Sequence, residues 1–173
     1  MKVRILVAGL AAAFAMTAAC AQQPIVIKFS HVTTTDTPKG KAGEYFKKIM
    51  EERTKGRVKV ELFPNGTLYK DKEEVEALQM GAVQMLAPAP GKFGPMGVRE
   101  FEVLDLPYLF DNVAEARKVT EGPVGQGLLK KLESKGIAGM SFWNNGFKEM
   151  TANKPLRMPE DFKGLKMRIQ SSK

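Results

Sequence analysis

Apolar and polar positions follow two periods in turn along the first part of the chain. Residues 25–29 are a β-branched apolar run typical of a buried strand, and residues 58–63 alternate apolar and charged side chains. Between them, apolar residues recur at helical spacing from Pro38 until Gly56, with Thr37 placed as the N-cap. The pattern predicts a β-α-β unit.

A second helix and a third strand are predicted next. Asp71 and Glu74 have the spacing of a capping box for a helix that ends at Gly81, and residues 83–87 form a short apolar strand. The order β-α-β-α-β predicts an α/β fold with a parallel sheet. Residues 88–98, rich in Gly and Pro, are expected to form a loop at the carboxyl edge, where open α/β sheets bind ligands.

The second part of the chain is less regular. Residues 104–110 are apolar around Pro107 and indicate an irregular buried segment. Helices are predicted over residues 112–120 and 123–135, and a strand over residues 137–143.

Two more extended segments are predicted towards the last residue. One covers residues 147–152, and a helical turn that starts at Pro159 precedes a short strand that carries Arg168. The Asn145-Gly146 pair fits a crossover between two lobes or a hairpin turn, and its spacing leaves both open.

The first residues have the pattern of a secretory signal peptide. A basic start precedes an apolar run over residues 5–16, which is shorter than the ~20 residues of a membrane span. We expect cleavage after Ala21, so that residues 1–21 are removed and no stable membrane insertion remains. A lipoprotein cut before Cys20 is the alternative. Because Cys20 is the only cysteine, the exported chain would hold no disulfide, which a periplasmic protein tolerates.

The net charge limits the classes of partner. The chain has 27 Lys and Arg against 19 Asp and Glu, a net charge of +8, which falls by two when Lys2 and Arg4 leave with the signal. A solvated basic surface or an anionic small molecule explains this excess. Nucleic acid is disfavoured, because the protein is exported and no basic cluster is interleaved with aromatic residues.

Catalytic chemistry is not indicated. His31 is the only histidine, and the chain has no nucleophile-elbow, phosphate-loop or zinc-helix motif. We therefore predict no metal, no cofactor and no enzyme. A periplasmic enzyme acting on an anionic small molecule and a chaperone-like interaction module stay open as alternatives.

Four cations and the histidine lie at predicted strand exits. Lys39 is in the first turn of a helix, Lys92 in the Gly/Pro loop, Lys148 after the Asn-Gly turn, and His31 directly after the first strand. Arg168 lies near the end of the last strand, where a guanidinium can hold a carboxylate through two parallel hydrogen bonds. Their shared placement predicts an anion site.

Seven stretches of the chain, taken together, point to a known family. They are Phe29-Ser30-His31, Thr37-Pro38-Lys39-Gly40, Pro64-Asn65-Gly66, the run from Glu76 to Met85, Leu106-Pro107-Tyr108-Leu109-Phe110, Trp143-Asn144-Asn145-Gly146-Phe147-Lys148 and Gly164-Leu165-Lys166-Met167-Arg168. In combination they resemble the DctP-type substrate-binding proteins of TRAP transporters. The stretch Lys92-Phe93-Gly94-Pro95 is most similar to the C4-dicarboxylate branch.

The resemblance implies a periplasmic protein of two lobes that closes on a small organic acid and passes it to a membrane permease. It implies that Arg168 pairs with a carboxylate of the substrate. Lysine stands at position 148, where many relatives have arginine, so Lys148 is expected to act as a point charge. Lys39 and Lys92 would suit the second carboxylate of a dicarboxylate.

The resemblance also divides the chain into two unequal parts. Residues 22–145 are expected to form the first lobe, incomplete as it stands, and residues 146–173 the crossover and the start of the second lobe. Since relatives continue well beyond this point, we expect a chain truncated at its C-terminus with weak or no ligand binding of its own. A non-functional fragment is the alternative.

Overall fold

A computed structural model describes residues 23–70, 73–144, 146–147 and 149–167. These ranges contain three strands and four α-helices in the order β-α-β-α-β-α-α. In chain order they are β1 (Ile25–Ser30), α1 (Pro38–Arg53), β2 (Val58–Phe63), α2 (Glu74–Gln79), β3 (Met85–Leu86), α3 (Val113–Glu121) and α4 (Pro123–Lys131). Short 3₁₀ helices cover Pro90–Phe93, Arg99–Asp105, Leu132–Lys135 and Pro159–Phe162.

The three strands form one parallel sheet in the order β2-β1-β3. Phe29, near the end of the central strand, is opposite Leu62 on one side and Met85 on the other. The predicted α/β fold and parallel sheet are confirmed. Strand β3 is shorter than predicted, since only Met85 and Leu86 are paired.

Helix α1 has the start that its sequence predicts. The Thr37 side chain accepts a hydrogen bond from the Gly40 amide at 3.1 Å, and Pro38 is the first helical residue. The helix packs on the sheet through Phe46, whose ring meets Phe29 edge to face with centroids 6.0 Å apart. Gly56, with a φ of 77°, turns the chain into β2.

A second apolar cluster joins α2 and α4 to the 3₁₀ helices Pro90–Phe93, Arg99–Asp105 and Leu132–Lys135. Within it the rings of Phe93 and Phe101 lie 4.9 Å apart. Burying side chains of this size stabilises the fold by about 1.5–3 kcal/mol each, so the cluster holds the later elements on the sheet. Its buried members are Val75, Phe93, Val98, Phe101, Leu128, Leu132 and Ile137.

The outer edge of β2 is closed by two side chains of α1. The Val60 amide donates to Glu51 Oε1 at 3.1 Å, and Lys47 Nζ donates to the Val60 carbonyl oxygen at 2.7 Å. Lys47 and Glu51 are also paired with each other at 2.7 Å. We call this arrangement the clamped edge, because the two side chains occupy the backbone groups that another strand would use.

The structure corrects two expectations. Residues 137–143 are not a strand: Ile137 donates to the Leu132 carbonyl oxygen, and no backbone hydrogen bond within the described ranges pairs residues 138–143 with another strand. Residues 104–110 are not buried throughout, since Leu106 is 55% exposed and Tyr108 is fully exposed. Both expectations took an apolar pattern as sufficient, although a strand also needs a partner and a buried segment needs a covering layer.

The remaining predictions have mixed outcomes. Helices α3 and α4 and the turn at Pro159 are confirmed, whereas residues 149–152 and 164–167 form no strand. The predicted capping box is wrong, since Glu73 and not Asp71 is the N-cap of α2, and its side chain makes no capping hydrogen bond. The signal peptide with Cys20 and the turn residue Asn145 lie outside the described residues. None of the helices in the described ranges has the length and apolar character of a membrane span.

Candidate ligand-binding edge

The loops at the carboxyl edge of the sheet are tied to each other. The Gly66 amide donates to the His31 carbonyl oxygen, and the Asn65 amide to that of Thr33, both at 3.1 Å. Asn65 and Gly66 have φ values of 58° and 62°, in the left-handed region that Asn and Gly tolerate best. The loop after β1 is therefore held in place by the turn after β2.

Lys39 joins the start of α1 to the end of β3. Its Nζ donates to the Ala87 carbonyl oxygen at 3.1 Å, and the residue is only 7% exposed. A buried ammonium is stable only where it is hydrogen-bonded, so the contact fixes this cation at the carboxyl edge. Its sequence-based placement at a strand exit is reproduced in the geometry.

Gly40 decides whether the loop can cover the first turn of α1. A Cβ atom at Gly40 would collide with the Thr34 carbonyl oxygen and lie 2.6 Å from Thr35 Cα. The chain crosses so closely because Thr37 Oγ1 donates to the Thr34 carbonyl oxygen at 2.6 Å. Gly40 and Ala87 were not predicted as positions that fix Lys39. The glycine directly after Thr37-Pro38-Lys39 is the signal in the sequence for the close approach at Gly40.

His31 lies beneath this loop and is 1% exposed. Its Nδ1 is 3.1 Å from Thr33 Oγ1, and its ring meets Phe29 edge to face with centroids 5.7 Å apart. Burial lowers the pKa of His31, and the Lys39 charge adds to this effect. A hydrogen bond with the Thr33 backbone and the Glu44 charge oppose it. The ring supports the loop, and a direct contact with a ligand stays a prediction.

Lys92 has a different environment from Lys39. It lies in the 3₁₀ helix Pro90–Phe93, where the Asp105 carboxylate lies against Gly91 and that of Glu102 against Gly94. Carboxylates at this loop reduce its attraction for an anion. Its role in binding stays a prediction.

Lys148 and Arg168 lie outside the described residues. Of the predicted site residues, the structure describes Lys39, His31 and Lys92. It places Lys39 and His31 together at the carboxyl edge of the sheet. Within the described part of the chain, no three His, Cys, Asp or Glu side chains are grouped so as to hold a metal ion. A buried ammonium at a sheet edge can bind and orient an anion.

A cleft of about 500 Å³ opens beside Lys39. Two continuous runs of chain line it, residues 83–88 around β3 and residues 136–143. Apolar side chains such as Phe101 and Leu129 complete its lining. We call this cleft the edge groove.

Similarity to known proteins identifies the family of this chain. The model of one family, described as bacterial extracellular solute-binding protein, family 7 (DctP), matches residues 29–173. The chain belongs to this family. The DctP family is one of solute-binding proteins, which agrees with the prediction that the chain is not an enzyme.

Individual members of the family support the same assignment. The C4-dicarboxylate-binding periplasmic protein DctP of Rhodobacter capsulatus is 60% identical over 97% of this chain and 50% of its own length. DctB of Bacillus subtilis, a C4-dicarboxylate-binding protein, is 44% identical over 87% of this chain and 43% of its own length. The chain thus spans about half the length of the curated relatives it matches.

Solved structures confirm the fold. A TRAP periplasmic solute-binding protein of Pseudomonas aeruginosa with bound L-malate has a TM-score of 0.80 and 47% identity, over 86% of this chain and 52% of its own. One from Sulfurospirillum deleyianum with bound succinate has a TM-score of 0.80 and 40% identity, over 87% and 49%. The described part of the chain therefore has the fold of about half of a DctP protein.

Proposed function

We propose that this chain is the first part of a periplasmic receptor that captures C4-dicarboxylates such as malate, succinate or fumarate for a TRAP-type membrane permease. The observation that carries the proposal is the similarity to receptors of that class: a curated relative at 60% identity is named for C4-dicarboxylates, and structural relatives hold malate and succinate. The signal pattern of residues 1–21 supports delivery to the periplasm.

The geometry of Lys39 supports the role of an anion contact. Its ammonium is held at the carboxyl edge by the Ala87 carbonyl oxygen, so it presents a fixed positive charge beside the groove. In the proposed receptor, Arg168 binds one carboxylate through a bidentate contact, and Lys39 contributes charge for the other. Lys148 and Lys92 supply further positive charge, and His31 supports the loop that covers the first turn of α1, where Lys39 lies.

The test needs a complete receptor. Residues 1–173 of this chain would be joined to the second half of the Rhodobacter capsulatus relative, and succinate and malate binding would be measured by calorimetry and thermal shift. We expect both acids to raise the melting temperature by mass action. For residues 1–173 alone we expect no such shift.

Variants of this chimera separate the roles. Arg168→Ala should weaken succinate binding by about two orders of magnitude, since a desolvated carboxylate loses its charged partner. Lys39→Ala should weaken it by about tenfold, whereas Lys41→Ala, an exposed lysine of the same helix turn, should leave it unchanged. Unchanged succinate affinity in a folded Arg168→Ala protein would refute the anchoring role.

A further inference from the structure

The turn after β2 contains a pair of residues that can react with each other. Asn65-Gly66 is one of two Asn-Gly pairs in the chain, and the other, Asn145-Gly146, includes a residue outside the described ranges. In an unstructured chain the nitrogen of such a glycine attacks the asparagine side chain readily, because no Cβ hinders its approach. Asn65 is exposed, so water reaches it. The fold around the turn therefore decides whether this pair reacts.

The reaction is a deamidation through a cyclic succinimide. The Gly66 nitrogen forms a bond to Asn65 Cγ, the bond from Cγ to Nδ2 breaks, and ammonia leaves with the proton of the Gly66 amide. Water then opens the ring. Attack at Cγ gives aspartate, and attack at the other ring carbonyl gives isoaspartate, in which the backbone runs through the side chain of residue 65. Water is the only co-reactant.

Two backbone hydrogen bonds oppose this reaction. The Gly66 amide donates to the His31 carbonyl oxygen and the Asn65 amide to that of Thr33, both at 3.1 Å. Since the Gly66 nitrogen has to lose its proton and move towards Cγ, its bond to His31 must break before the ring can close. The unreacted pair is therefore protected for as long as these bonds last.

The turn is also closed on its own side. Asn65 and Gly66 both have positive φ values, and the Thr67 amide donates to the Pro64 carbonyl oxygen at 3.1 Å, which together define a type I′ turn. Thr67 Oγ1 donates to the same oxygen at 2.8 Å. The turn must give up this conformation as well before it reacts.

The acceptors on the loop after β1 are fixed in their turn. His31 is 1% exposed, and its own amide donates to the Phe63 carbonyl oxygen at 3.1 Å. Thr34 and Thr35, next to the acceptor Thr33, lie so close to Gly40 that a Cβ atom there would collide with them. The acceptors therefore cannot follow the Asn-Gly pair when it moves.

We propose that Asn65 is a latent modification site, at which the folded turn blocks spontaneous deamidation and opening of the turn starts it. Isoaspartate adds a methylene group to the backbone between the two donors, so the bonds to His31 and Thr33 cannot both re-form. Each opening that leads to reaction thus releases, irreversibly, the loop that covers the first turn of α1. The modification is independent of the solute that the proposed receptor binds.

The first test compares the folded and the unfolded protein. This chain and its chimera with the Rhodobacter capsulatus relative are incubated with and without urea, beside a synthetic peptide of residues 62–69, and deamidation at Asn65 is followed by mass spectrometry. We expect the folded proteins to react at least about tenfold more slowly than the peptide, because opening the turn costs free energy. In urea the rates should match that of the peptide. Equal rates for the peptide and a protein with a cooperative urea transition would overturn the proposal.

An internal control shows whether Gly66 makes the site reactive. Asn112 precedes the β-branched Val113, whose side chain hinders attack by its nitrogen. In urea, Asn65 should therefore deamidate much faster than Asn112, and equal rates would contradict the proposal.

The second test loosens the loop while the protein stays folded. Gly40→Ala displaces the chain at Thr34 and Thr35, so Asn65 should deamidate several-fold faster in this variant. Gly127→Ala, where a Cβ meets nothing within 4 Å, should react no faster than the parent. Equal rates in the two variants would show that the loop does not control the reaction.

The last measurement examines the product. After the isoaspartate form has been separated, amide exchange at Gly66 should be as fast as in an exposed loop, since its bond to His31 is lost. Protection of Gly66 equal to that in the unmodified protein would overturn the irreversible release of the loop.

Discussion

The two outer edges of the sheet differ, because side chains of α1 close the clamped edge at β2, whereas the edge of β3 borders the edge groove. We call the β3 side, residues Met85–Leu86, the open edge. On the β2 side, a lysine and a glutamate from α1 satisfy the amide and the carbonyl of Val60. On the β3 side, the backbone faces an apolar groove that ends at Lys39. The difference teaches that side chains of one helix satisfy the strand backbone on one side of the sheet, whereas an apolar groove borders it on the other.

The largest effect on stability is expected in the central strand β1, which supports both edges of the sheet. Phe29 of β1 is fully buried and packs edge to face on Phe46, His31 and Trp143. Phe29→Ala should lower the free energy of unfolding by about 3–5 kcal/mol, because a large cavity replaces the ring. The control is Phe147→Ala at a 51% exposed position. Equal losses in urea denaturation would show that β1 is not the common support.

A smaller effect is expected at the carboxyl end of the open edge. Gly40→Ala should destabilise the fold by about 1–3 kcal/mol, because its methyl group would displace the chain at Thr34 and Thr35 that covers the helix turn of Lys39. Gly127→Ala is the matched control in helix α4, where a Cβ meets nothing within 4 Å, and it should stabilise by up to ~1 kcal/mol. Thermal denaturation of both variants measures the contrast; the same sign for both would contradict it.

The clamp itself is tested by removing one of its two charges. Glu51→Ala should lower the melting temperature modestly and speed amide exchange at Val60, since that amide loses its acceptor. Glu52→Ala is the matched control, because its pair with Lys48 has the same helical spacing, is 4.0 Å long and is largely exposed. Equal exchange at Val60 in both variants would refute the clamp.

The smallest effect is expected from pH. Because the pKa of His31 is lowered from 6.5 by burial, the unfolded chain binds the proton more readily than the folded one. The contribution of His31 to the free energy of unfolding is fully present above pH 6.5 and declines as the pH falls below that value. His31→Gln should flatten the pH dependence of urea denaturation between about pH 7 and 5. An unchanged slope would refute the contribution of this ring.

The clamped edge responds in a different pH window. Its hydrogen bond with Lys47 lowers the pKa of Glu51 from 4.5, so the stability from this carboxylate is present above pH 4.5 and declines only as the pH falls below that value. The contributions of His31 and Glu51 can therefore be separated by titration.

The first β-α-β unit was predictable because its signals are local. Thr37 and Pro38 start α1 by their own chemistry, and the alternation of residues 58–63 identifies β2 without knowledge of its neighbours. The position of Lys39 at a strand exit followed from the same signals. Its hydrogen bond to Ala87 did not, because a backbone carbonyl carries no mark in the sequence.

The state of the two edges was not predictable from the sequence. Lys47 and Glu51 have the spacing of an ordinary surface pair on a helix, and only the register of α1 on β2 brings them to Val60. Residues 137–143 have the composition of a strand, but composition reports burial and not the presence of a hydrogen-bonding partner. The roles of Lys148 and Arg168 stay predictions.

The hydrogen bond between Lys39 and Ala87 has a consequence for the entropy of ligand capture. Ordering a lysine side chain costs up to about 2 kcal/mol, and a flexible surface lysine incurs that cost when the ligand arrives. Lys39 incurs that cost during folding instead, since its ammonium is already hydrogen-bonded to the Ala87 carbonyl oxygen at 3.1 Å and the residue is almost fully buried. In the proposed receptor, an incoming carboxylate would therefore meet a cation that has few conformations left to lose.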